Sequence, residues 1–273
     1  MQELAEIAIK SAFDVSSEDI YIGYLRLEDL PTLPVSERVK FFELQPLGFD
    51  SDSESEYQTF ADKSFYQVVQ YKWSLLTHVL ALPYNFVIYS DTDVFWNQNP
   101  VPEIESAFEL LPDVNVQIQS FTDSLISPKL CMGFVAFRKC IQTEDFIDIC
   151  RVRHTAMSKV HDKVGDDEVV TALYKELGRP DWLVELPQTT FPVGRMLKLY
   201  ALNSIYPGLG SPIPFIFHAN YVVGLKNKIL LIKLFIAKYA IDSKGVRLTR
   251  RSQSILVLKH LRLIANRVKS RFK

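Results

Sequence analysis

Hydrophobic residues along the chain follow two periodicities in turn, one typical of helices and one typical of strands. Helical spacing occurs over residues 1–13, 64–80, 144–160 and 167–177. Compact apolar runs of strand type occupy residues 19–25, 84–89, 114–121, 130–138, 181–186 and 214–220. Strands that alternate with helices in this way are characteristic of α/β proteins. The pattern therefore predicts a mixed, mostly parallel sheet flanked by helices on both faces.

The helix predicted over residues 64–80 carries a lysine on its apolar face. The apolar positions of that face are Phe65, Val68, Val69, Leu76, Val79 and Leu80, and Lys72 completes the stripe. A lysine in such a position either extends its stem along apolar surface to reach water or contacts a phosphate or carboxylate inside a cleft. The sequence alone leaves both interpretations open.

Length and charge divide the chain into an acidic body and a basic end. The 273 residues suit one large α/β domain, predicted over residues 1–226, with a basic helical extension over residues 227–273. The last 49 residues carry 14 of the 31 Lys and Arg residues but only one acid, Asp242. We expect this end either to contact anionic lipid or to form a solvated helix. No nucleic acid partner is expected, because aromatic residues are not interleaved there for base stacking.

Cysteine usage and hydropathy favour a cytoplasmic location. Three cysteines, Cys131, Cys140 and Cys150, form no C-x-x-C pair and leave an odd thiol, as in proteins of reducing compartments. The first residues carry acids in place of the apolar run of a secretion signal. The most apolar stretch, residues 229–241, is interrupted by two lysines and is too short to span a bilayer. Any membrane contact is therefore expected to be peripheral.

The segment SDTDVFWNQNP, which directly follows the apolar run at residues 84–89, is the most informative part of the chain. Asp91 and Asp93 point the same way in an extended chain, so their carboxylates can share one hard cation. Open α/β folds bind their ligands at such strand ends. Because burying two carboxylates without a cation is costly, the sequence predicts Mg²⁺, Mn²⁺ or a fixed basic partner here.

Two other uses of these acids conflict with the neighbouring residues. A calcium-binding EF-hand loop requires an oxygen ligand and a glycine where Phe95 and Trp96 stand. Phosphatases of the haloacid-dehalogenase type also have a strand followed by D-x-D, but with a Thr in the place of Phe95. These phosphatases also have a second acidic pair later in the chain, followed by another Asp one helical turn on. In this sequence the later pair is Asp166–Asp167, and Val170 and Thr171 stand one turn after it. The sequence therefore disfavours both.

Two further clusters contain candidate functional residues. Asp166, Asp167 and Glu168 begin a predicted helix, where capping accounts for one or two acids. A third acid favours a second role near the anomeric carbon of a sugar, either as a nucleophile or in stabilising an oxocarbenium-like transition state. His218 lies at the end of an apolar strand, in HANYVVGLK. A neutral imidazole there suits a metal site, and the lysine of this segment suits a phosphate.

Taken in chain order, these pieces resemble the nucleotide-diphospho-sugar transferase family. The similar pieces are the helix with Lys72, YSDTDVFWNQNP, CMGFVAFR, DDEVV, LPQTTFPVG and HANYVVGLK, which together span roughly residues 65–226. The resemblance is to glycosyltransferase family 77, which includes plant cell-wall xylosyltransferases, and more distantly to the glycogenin-like enzymes of family 8. It implies a GT-A (Rossmann-like) fold, a UDP- or GDP-linked sugar donor and a glycan or glycoconjugate acceptor. It also implies a Mn²⁺ or Mg²⁺ cofactor and transfer with retention of configuration.

The resemblance further implies roles for the matched residues. The metal ligands would be Asp91, Asp93 and His218, and Asp91 would also contact the donor. The other donor-binding residues would be Lys72, Gly133, Gly224 and Lys226. The acids beside the donor sugar would be Asp166 and Asp167, either of which could lie closest to the reacting carbon.

One feature departs from the family pattern. GT-A domains ordinarily begin with a strand that meets the nucleotide base, whereas this sequence begins with the helix that follows such a strand. Either that strand is missing or the start lies upstream, and no residue is assigned to the base. A glycosyltransferase is the leading hypothesis. The alternatives are a phosphohydrolase that uses the D-x-D acids and a catalytically inactive GT-A scaffold.

Overall fold

Helices and strands alternate along the chain in the order that the hydrophobic pattern predicts. The computed structural model describes residues 2–25, 30, 36–44, 63–121, 129–194, 213–220 and 224–242. The helices are α1 (Gln2–Val15), α2 (Lys63–Leu80), α3 (Val101–Leu110), α4 (Ile141–Ser158), α5 (Asp166–Glu176) and α6 (Leu225–Asp242). The strands are β1 (Ile20–Tyr24), β2 (Val39–Glu43), β3 (Phe86–Ser90), β4 (Val94–Trp96), β5 (Val116–Ser120), β6 (Leu130–Arg138), β7 (Leu183–Glu185) and β8 (Ile216–His218).

Every helix and strand predicted from the periodicity is observed with the predicted type. The elements without a predicted counterpart include β2, β4 and α3. Strand β2 is exposed at three of its five positions, so it has no compact apolar run, and the three residues of β4 lie within the SDTDVFWNQNP segment, which was interpreted for its acids. The start of α3 does carry a local signal, because Pro102 lies in its first turn, where proline is favoured.

The buried face of α2 differs from the predicted stripe. Val68, which was predicted to be buried, is 44% exposed, whereas Trp73 and Leu76 are each 1% exposed. The indole N–H of Trp73 donates to His154 Nδ1 at 2.8 Å, inside the core. The large indole sets the orientation of the helix because it buries more apolar area than a valine does. Lys72 is buried, as its place in the stripe predicted.

The central sheet has four strands in the order β3-β6-β5-β7. Strand β6 runs antiparallel to β3 and β5, whereas β5 and β7 are parallel. Two further pairs are parallel β1–β2 and antiparallel β4–β8. Among the described strands, antiparallel pairs outnumber parallel ones, which corrects the prediction of a mostly parallel sheet. A mostly parallel sheet requires helical crossovers between successive strands. The sequence predicts no helix between β5 and β6, and strands joined by so short a segment usually pair antiparallel.

Polar residues collect at one edge of the central sheet. Strands β3, β5 and β7 run in the same direction and end at this edge, and β6 begins there. Asp91 directly follows β3, Gln119 lies near the end of β5, and Gly133 lies in the first half of β6. The fold therefore places the D-x-D segment at the carboxyl edge, as predicted.

The pairing of β5 with β6 changes register beside this edge. Ile118 pairs with Val135, but the next residue, Gln119, pairs with Cys131. The shift displaces residues 132–134 from the β5 ladder. Irregularities of this kind are frequent next to active sites, where they redirect the backbone.

Apolar cores cover both faces of the central sheet. One core packs α2, α4 and α5 against a face that includes Ile118, Val135 and Phe137. The other packs α1, α3, β4 and β8 against the opposite face, around Phe134 and Ala136. Consecutive residues of β6 thus point to opposite faces, as in a regular strand. Helices flank the sheet on both faces, as predicted.

Helix α6 packs against α1 and β8 through a smaller core. Phe235 stacks on Phe217 with ring centroids 4.4 Å apart, and Leu4 belongs to the same cluster. The helix begins next to the domain boundary predicted at residue 226, and the division into two parts stays a prediction. Residues 243–273 of the basic end lie outside the described residues. Among the helices that the structure describes, none combines the length and apolar character needed to cross a membrane.

Substitution of Phe137 by Ala tests the first core. Phe137 is 0% exposed, so the variant loses buried area and leaves a cavity, and we expect a loss of about 3–5 kcal/mol in unfolding free energy. Urea unfolding followed by tryptophan fluorescence measures this loss. The matched control is Phe41→Ala, because Phe41 is 47% exposed and its loss should change stability by less than about 0.5–1 kcal/mol. Equal losses for the two variants would contradict the assigned core.

Candidate active site

Three predicted metal ligands meet where β3, β4 and β8 come together. Asp91 and Asp93 flank a turn between β3 and β4, closed by a hydrogen bond from the Val94 N–H to the Asp91 carbonyl (3.1 Å). Val94 pairs with His218 across the β4–β8 ladder, which brings the end of β8 beside the turn. One ligand atom from each of Asp91, Asp93 and His218 lies within 4.8 Å of the other two.

Gly133 leaves space for the imidazole of His218. A Cβ atom built on Gly133 would lie 1.9 Å from Cε1 of His218, far inside van der Waals contact. The carbonyl of Gly133 also accepts a hydrogen bond from the Asp91 N–H at 2.8 Å. Gly133 was predicted to bind the donor, and that role stays a prediction. Its observed contacts are with two of the predicted metal ligands.

Asp93 is held by two basic side chains. Its Oδ1 lies 3.1 Å from His218 Nε2, and its Oδ2 accepts a hydrogen bond from the Lys228 ammonium at 2.5 Å. Burial by itself raises the pKa of Asp93, but the charges and hydrogen bonds of His218 and Lys228 outweigh it and hold that pKa well below its usual range. The carboxylate is therefore ionised and able to bind a cation.

Lys72 bridges two carboxylates on the other side of the site. Its ammonium donates to Asp166 Oδ2 and to the Met132 carbonyl (3.1 Å), and it lies 3.3 Å from Asp91 Oδ1. It also lies 4.5 Å from the ring centroid of Tyr89, whose hydroxyl donates to Asp91 Oδ1 at 2.7 Å. Burial by itself lowers the pKa of Lys72, but Asp166 and Asp91 outweigh it and raise that pKa well above its usual value. Of the two interpretations of Lys72, contact with carboxylates is the one observed.

The three acids that begin α5 have three different partners. Glu168 Oε2 accepts a hydrogen bond from the Gly165 N–H and caps the helix. Asp166 accepts from the lysine of α2, and Asp167 Oδ1 accepts from the Met132 N–H of β6 at 2.6 Å. Burial and the charge of Asp166 raise the pKa of Asp167 well above its usual value. Side-chain capping therefore involves Glu168, whereas the two predicted catalytic acids contact other elements, Asp166 the helix α2 and Asp167 the strand β6.

Gly224 and two lysines lie at the start of α6. Gly224 has φ +92°, a conformation that favours glycine, directly before the helix. Lys226, the predicted phosphate ligand, is exposed, and its role stays a prediction. Lys228, which the sequence did not single out, is the lysine that contacts Asp93. Its proximity to Lys226 in the first turns of α6 was the available signal.

The donor set fits a divalent metal ion. The Nε2 atom of His218 lies 3.1 Å from Oδ1 of Asp93, and without a metal ion a hydrogen on Nε2 joins the two atoms. A divalent cation could take the place of that hydrogen, because an imidazole binds a metal ion through a nitrogen that carries no hydrogen. Two carboxylates and one imidazole form a site richer in oxygen than in nitrogen. Such a set, with positions left for substrate oxygens, is characteristic of Mn²⁺ and Mg²⁺. Asp91, Asp93 and His218 could therefore bind a metal ion.

Comparison with known proteins gives a family match and several matches of fold. A family model for nucleotide-diphospho-sugar transferases matches residues 35–232. A search of curated proteins finds no match. The galactosyltransferase LgtC, solved in complex with donor and acceptor sugar analogs, is 10% identical with a TM-score of 0.53, and the match covers 80% of this chain and 82% of that chain. This match shows a similar fold.

Two further solved structures align over most of this chain with lower TM-scores. Mouse xyloside xylosyltransferase 1, in its apo form, is 11% identical with a TM-score of 0.48, and the match covers 82% of this chain and 93% of that chain. The glycosyltransferase GlyE of Streptococcus pneumoniae TIGR4 is 15% identical with a TM-score of 0.47, and the match covers 84% of this chain and 56% of that chain.

Substitution of Gly133 by Ala tests the packing of the site. The added methyl group collides with the His218 ring, so we expect a loss of at least about 1–3 kcal/mol in unfolding free energy and loss of metal binding. Thermal unfolding and Mn²⁺ titration measure the two effects. Gly178→Ala is the control. Its positive φ also makes an alanine unfavourable, but an added methyl group meets open space there, so Mn²⁺ affinity should not change. Unchanged Mn²⁺ affinity in Gly133→Ala would contradict the described geometry.

Substitution of Asp167 by Asn tests the raised pKa. An acid whose pKa is raised on folding contributes stability below its unfolded pKa, and loses that contribution as pH rises through its folded pKa. The carboxamide of the variant stays neutral and can still accept from the Met132 N–H. We therefore expect the urea midpoint of the variant to exceed that of the wild type, by a margin that widens from about pH 4.5 to about pH 8. Asp113→Asn, at an exposed position, should show no such widening.

Proposed function

Because the chain belongs to the nucleotide-diphospho-sugar transferase family and is a glycosyltransferase with a GT-A fold, we propose that it transfers a sugar with the help of a divalent metal ion. The donor is a UDP- or GDP-linked sugar, and the acceptor is a hydroxyl group of a glycan or glycoconjugate. The observation that carries this proposal is the cluster of Asp91, Asp93 and His218 beside the Lys72–Asp166 pair. It combines a metal site with acids suited to the sugar.

The metal site supports binding of the donor diphosphate. Asp93 is the principal ligand, His218 is the third protein ligand, and Asp91 is shared between the metal and the donor. When Mn²⁺ or Mg²⁺ is bound, it supplies positive charge that stabilises the departing nucleoside diphosphate. Of the two ions we favour Mn²⁺, because one of the three ligands is an imidazole nitrogen.

The start of α6 supplies further contacts for the diphosphate. Gly224 allows the backbone to approach the phosphates closely, and Lys226 is exposed and can extend toward them. Lys228 already contacts the metal ligand Asp93, so a diphosphate bound beside Asp93 would lie within its reach. Gly133 and Lys72 shape the opposite side, where Lys72 keeps Asp91 in place for the donor.

Asp166 and Asp167 are the acids beside the transferred sugar. Asp166 is ion-paired with Lys72, and a carboxylate in this place can stabilise positive charge at the anomeric carbon. The raised pKa of Asp167 favours its neutral form, which suits a hydrogen bond to a sugar hydroxyl. The bond from the anomeric carbon to the diphosphate oxygen breaks, and the acceptor oxygen forms the new bond on the same face. Its proton passes to the departing diphosphate, and the configuration is retained.

The basic end supports a second, independent property. We propose that residues 227–273 form an extension that contacts anionic lipid, so that a cytoplasmic enzyme works at a membrane surface. The support is the charge of the sequence, with 14 basic residues and one acid among the last 49 residues.

Substitution of Asp93 by Ala tests the metal-dependent activity. We expect Mn²⁺-dependent release of UDP or GDP from nucleotide sugars to fall by at least about 100-fold, because a principal ligand is lost. A nucleotide-release assay with a panel of nucleotide sugars measures this, with exposed Asp113→Ala as the control. Release of inorganic phosphate in place of nucleotide would indicate a phosphohydrolase, and no turnover by the wild type would indicate an inactive scaffold.

Deletion of residues 243–273 tests the contact with lipid. Ten of the 14 basic residues of the last 49 residues and none of their acids lie within this segment, so we expect binding to vesicles containing phosphatidylserine to weaken by at least about 10-fold. Co-sedimentation with anionic and with neutral vesicles measures the effect. Activity on soluble substrates should be retained. Equal binding of the full and shortened chains to anionic vesicles would rule out this property.

A further inference from the structure

The imidazole of His218 has a second partner on the side away from Asp93. Nδ1 of His218 lies 3.0 Å from Oε1 of Gln119, and both side chains are buried, with Gln119 0% exposed and His218 3% exposed. Buried polar groups are almost always hydrogen-bonded, so this contact has to be a donor–acceptor pair. Gln119 has no role in the function proposed above.

The orientation of the Gln119 amide follows from its other contacts. Nε2 donates to the Phe191 carbonyl at 3.1 Å and lies 3.4 Å from the Pro192 carbonyl. Backbone carbonyl oxygens can only accept, so the nitrogen of the amide must face them and the oxygen must face His218. Nδ1 of His218 must therefore carry a hydrogen, which it donates to Oε1.

A hydrogen on Nδ1 determines what the other ring nitrogen can do. When Nε2 gives up its hydrogen to bind a metal ion, its lone pair is on the side of the ring that faces Oδ1 of Asp93, 3.1 Å away. Cys131 Sγ also lies near Nδ1, at 3.6 Å, but sulfur is the weaker acceptor and the distance is longer. Gln119 is thus the stronger partner of Nδ1.

Gln119 and the backbone of His218 also share a neighbour, the chain segment that contains Pro192. The His218 N–H donates to the Pro192 carbonyl at 3.3 Å, and Val193 forms a parallel bridge with His218. Gln119 therefore contacts both the ring of His218 and the segment that borders its backbone.

We propose that Gln119 is the positioning residue for His218, which fixes its Nδ1–H tautomer and directs Nε2 toward Asp93 and the metal. The consequence for metal affinity rests on the function proposed above, whereas the tautomer itself does not. Partners that orient metal-binding histidines usually change metal affinity about 10–100-fold when they are removed. Gln119 would thus act on the metal through His218 without touching it.

Three variants separate positioning from general stability. Gln119→Met keeps the approximate size and removes both hydrogen-bonding functions. Gln119→Glu keeps an acceptor for Nδ1–H while it loses the amide donors. Gln117→Met is the matched control, because Gln117 lies two residues earlier on β5, is 2% exposed and donates to the Ile104 carbonyl at 2.9 Å.

Two measurements are made on each folded variant. The first is the Mn²⁺ dissociation constant, from electron paramagnetic resonance of free Mn²⁺. The second is the Nδ1–H resonance of His218 in ¹⁵N-labelled, metal-free protein, assigned by its loss in His218→Ala. We expect Gln119→Met to lose the resonance and to bind Mn²⁺ about 10–100-fold more weakly. Gln117→Met should keep both properties, and Gln119→Glu should keep the resonance.

The two proposals fail in different ways. If Gln119→Met keeps the resonance and the wild-type affinity, or if Gln117→Met weakens Mn²⁺ binding equally, the positioning role is wrong. The positioning role is also wrong if the wild type shows no Nδ1–H resonance. If the wild type binds Mn²⁺ no better than Asp93→Ala, the metal site is wrong, and the resonance alone then decides whether Gln119 sets the tautomer.

Discussion

The structure depends on the neutralisation of carboxylates that the fold collects at one edge of its sheet. Asp91, Asp93, Asp166 and Asp167 converge there, and like charges so close together in a partly buried place repel one another. The ammonium group of Lys72 contacts Asp91 and Asp166, and His218 and Lys228 both contact Asp93. Asp167 has a backbone N–H as its partner and is the acid whose pKa rises. The charges of the site are thus balanced by residues from α2, β8 and α6, which draws these elements toward the edge of the sheet.

The register shift between β5 and β6 also contributes to the arrangement of side chains at this edge of the sheet. The register shift between β5 and β6 displaces Gly133 from the β5 ladder, where its missing side chain makes room for the ring of His218. On the other side of that ring, Gln119 accepts from Nδ1. One orientation of the His218 imidazole is therefore defined by a glycine, a glutamine and a strand pair. The metal site proposed above would require this kind of preorganisation.

The sequence predicted the elements and the chemical types of the site better than it predicted the partners. Asp91, Asp93 and His218 were identifiable because each follows or ends an apolar strand, and strand ends meet at an edge. The mostly parallel pairing of the sheet and the burial of Val68 were mispredicted, because both depend on how whole elements pack. Lys228 and Gln119 were not found, because the proximity of Lys228 to Lys226 was the one local signal for that lysine and a glutamine in a strand has no local pattern that marks it. Their roles arise from contacts across 135 and 99 residues of chain, respectively.

These long separations have a consequence for how the enzyme is made. During synthesis, the D-x-D segment leaves the ribosome well before β8 and α6 exist, and so before His218 and Lys228 can pair with Asp93. Until then the carboxylate remains in water, where an isolated charge costs nothing. Pairing of β4 with β8 brings His218 beside this carboxylate, so the three candidate metal ligands come together only at that stage. Pairings of such high contact order form late in folding, so a nascent chain can hold a nearly finished sheet and still have no active site.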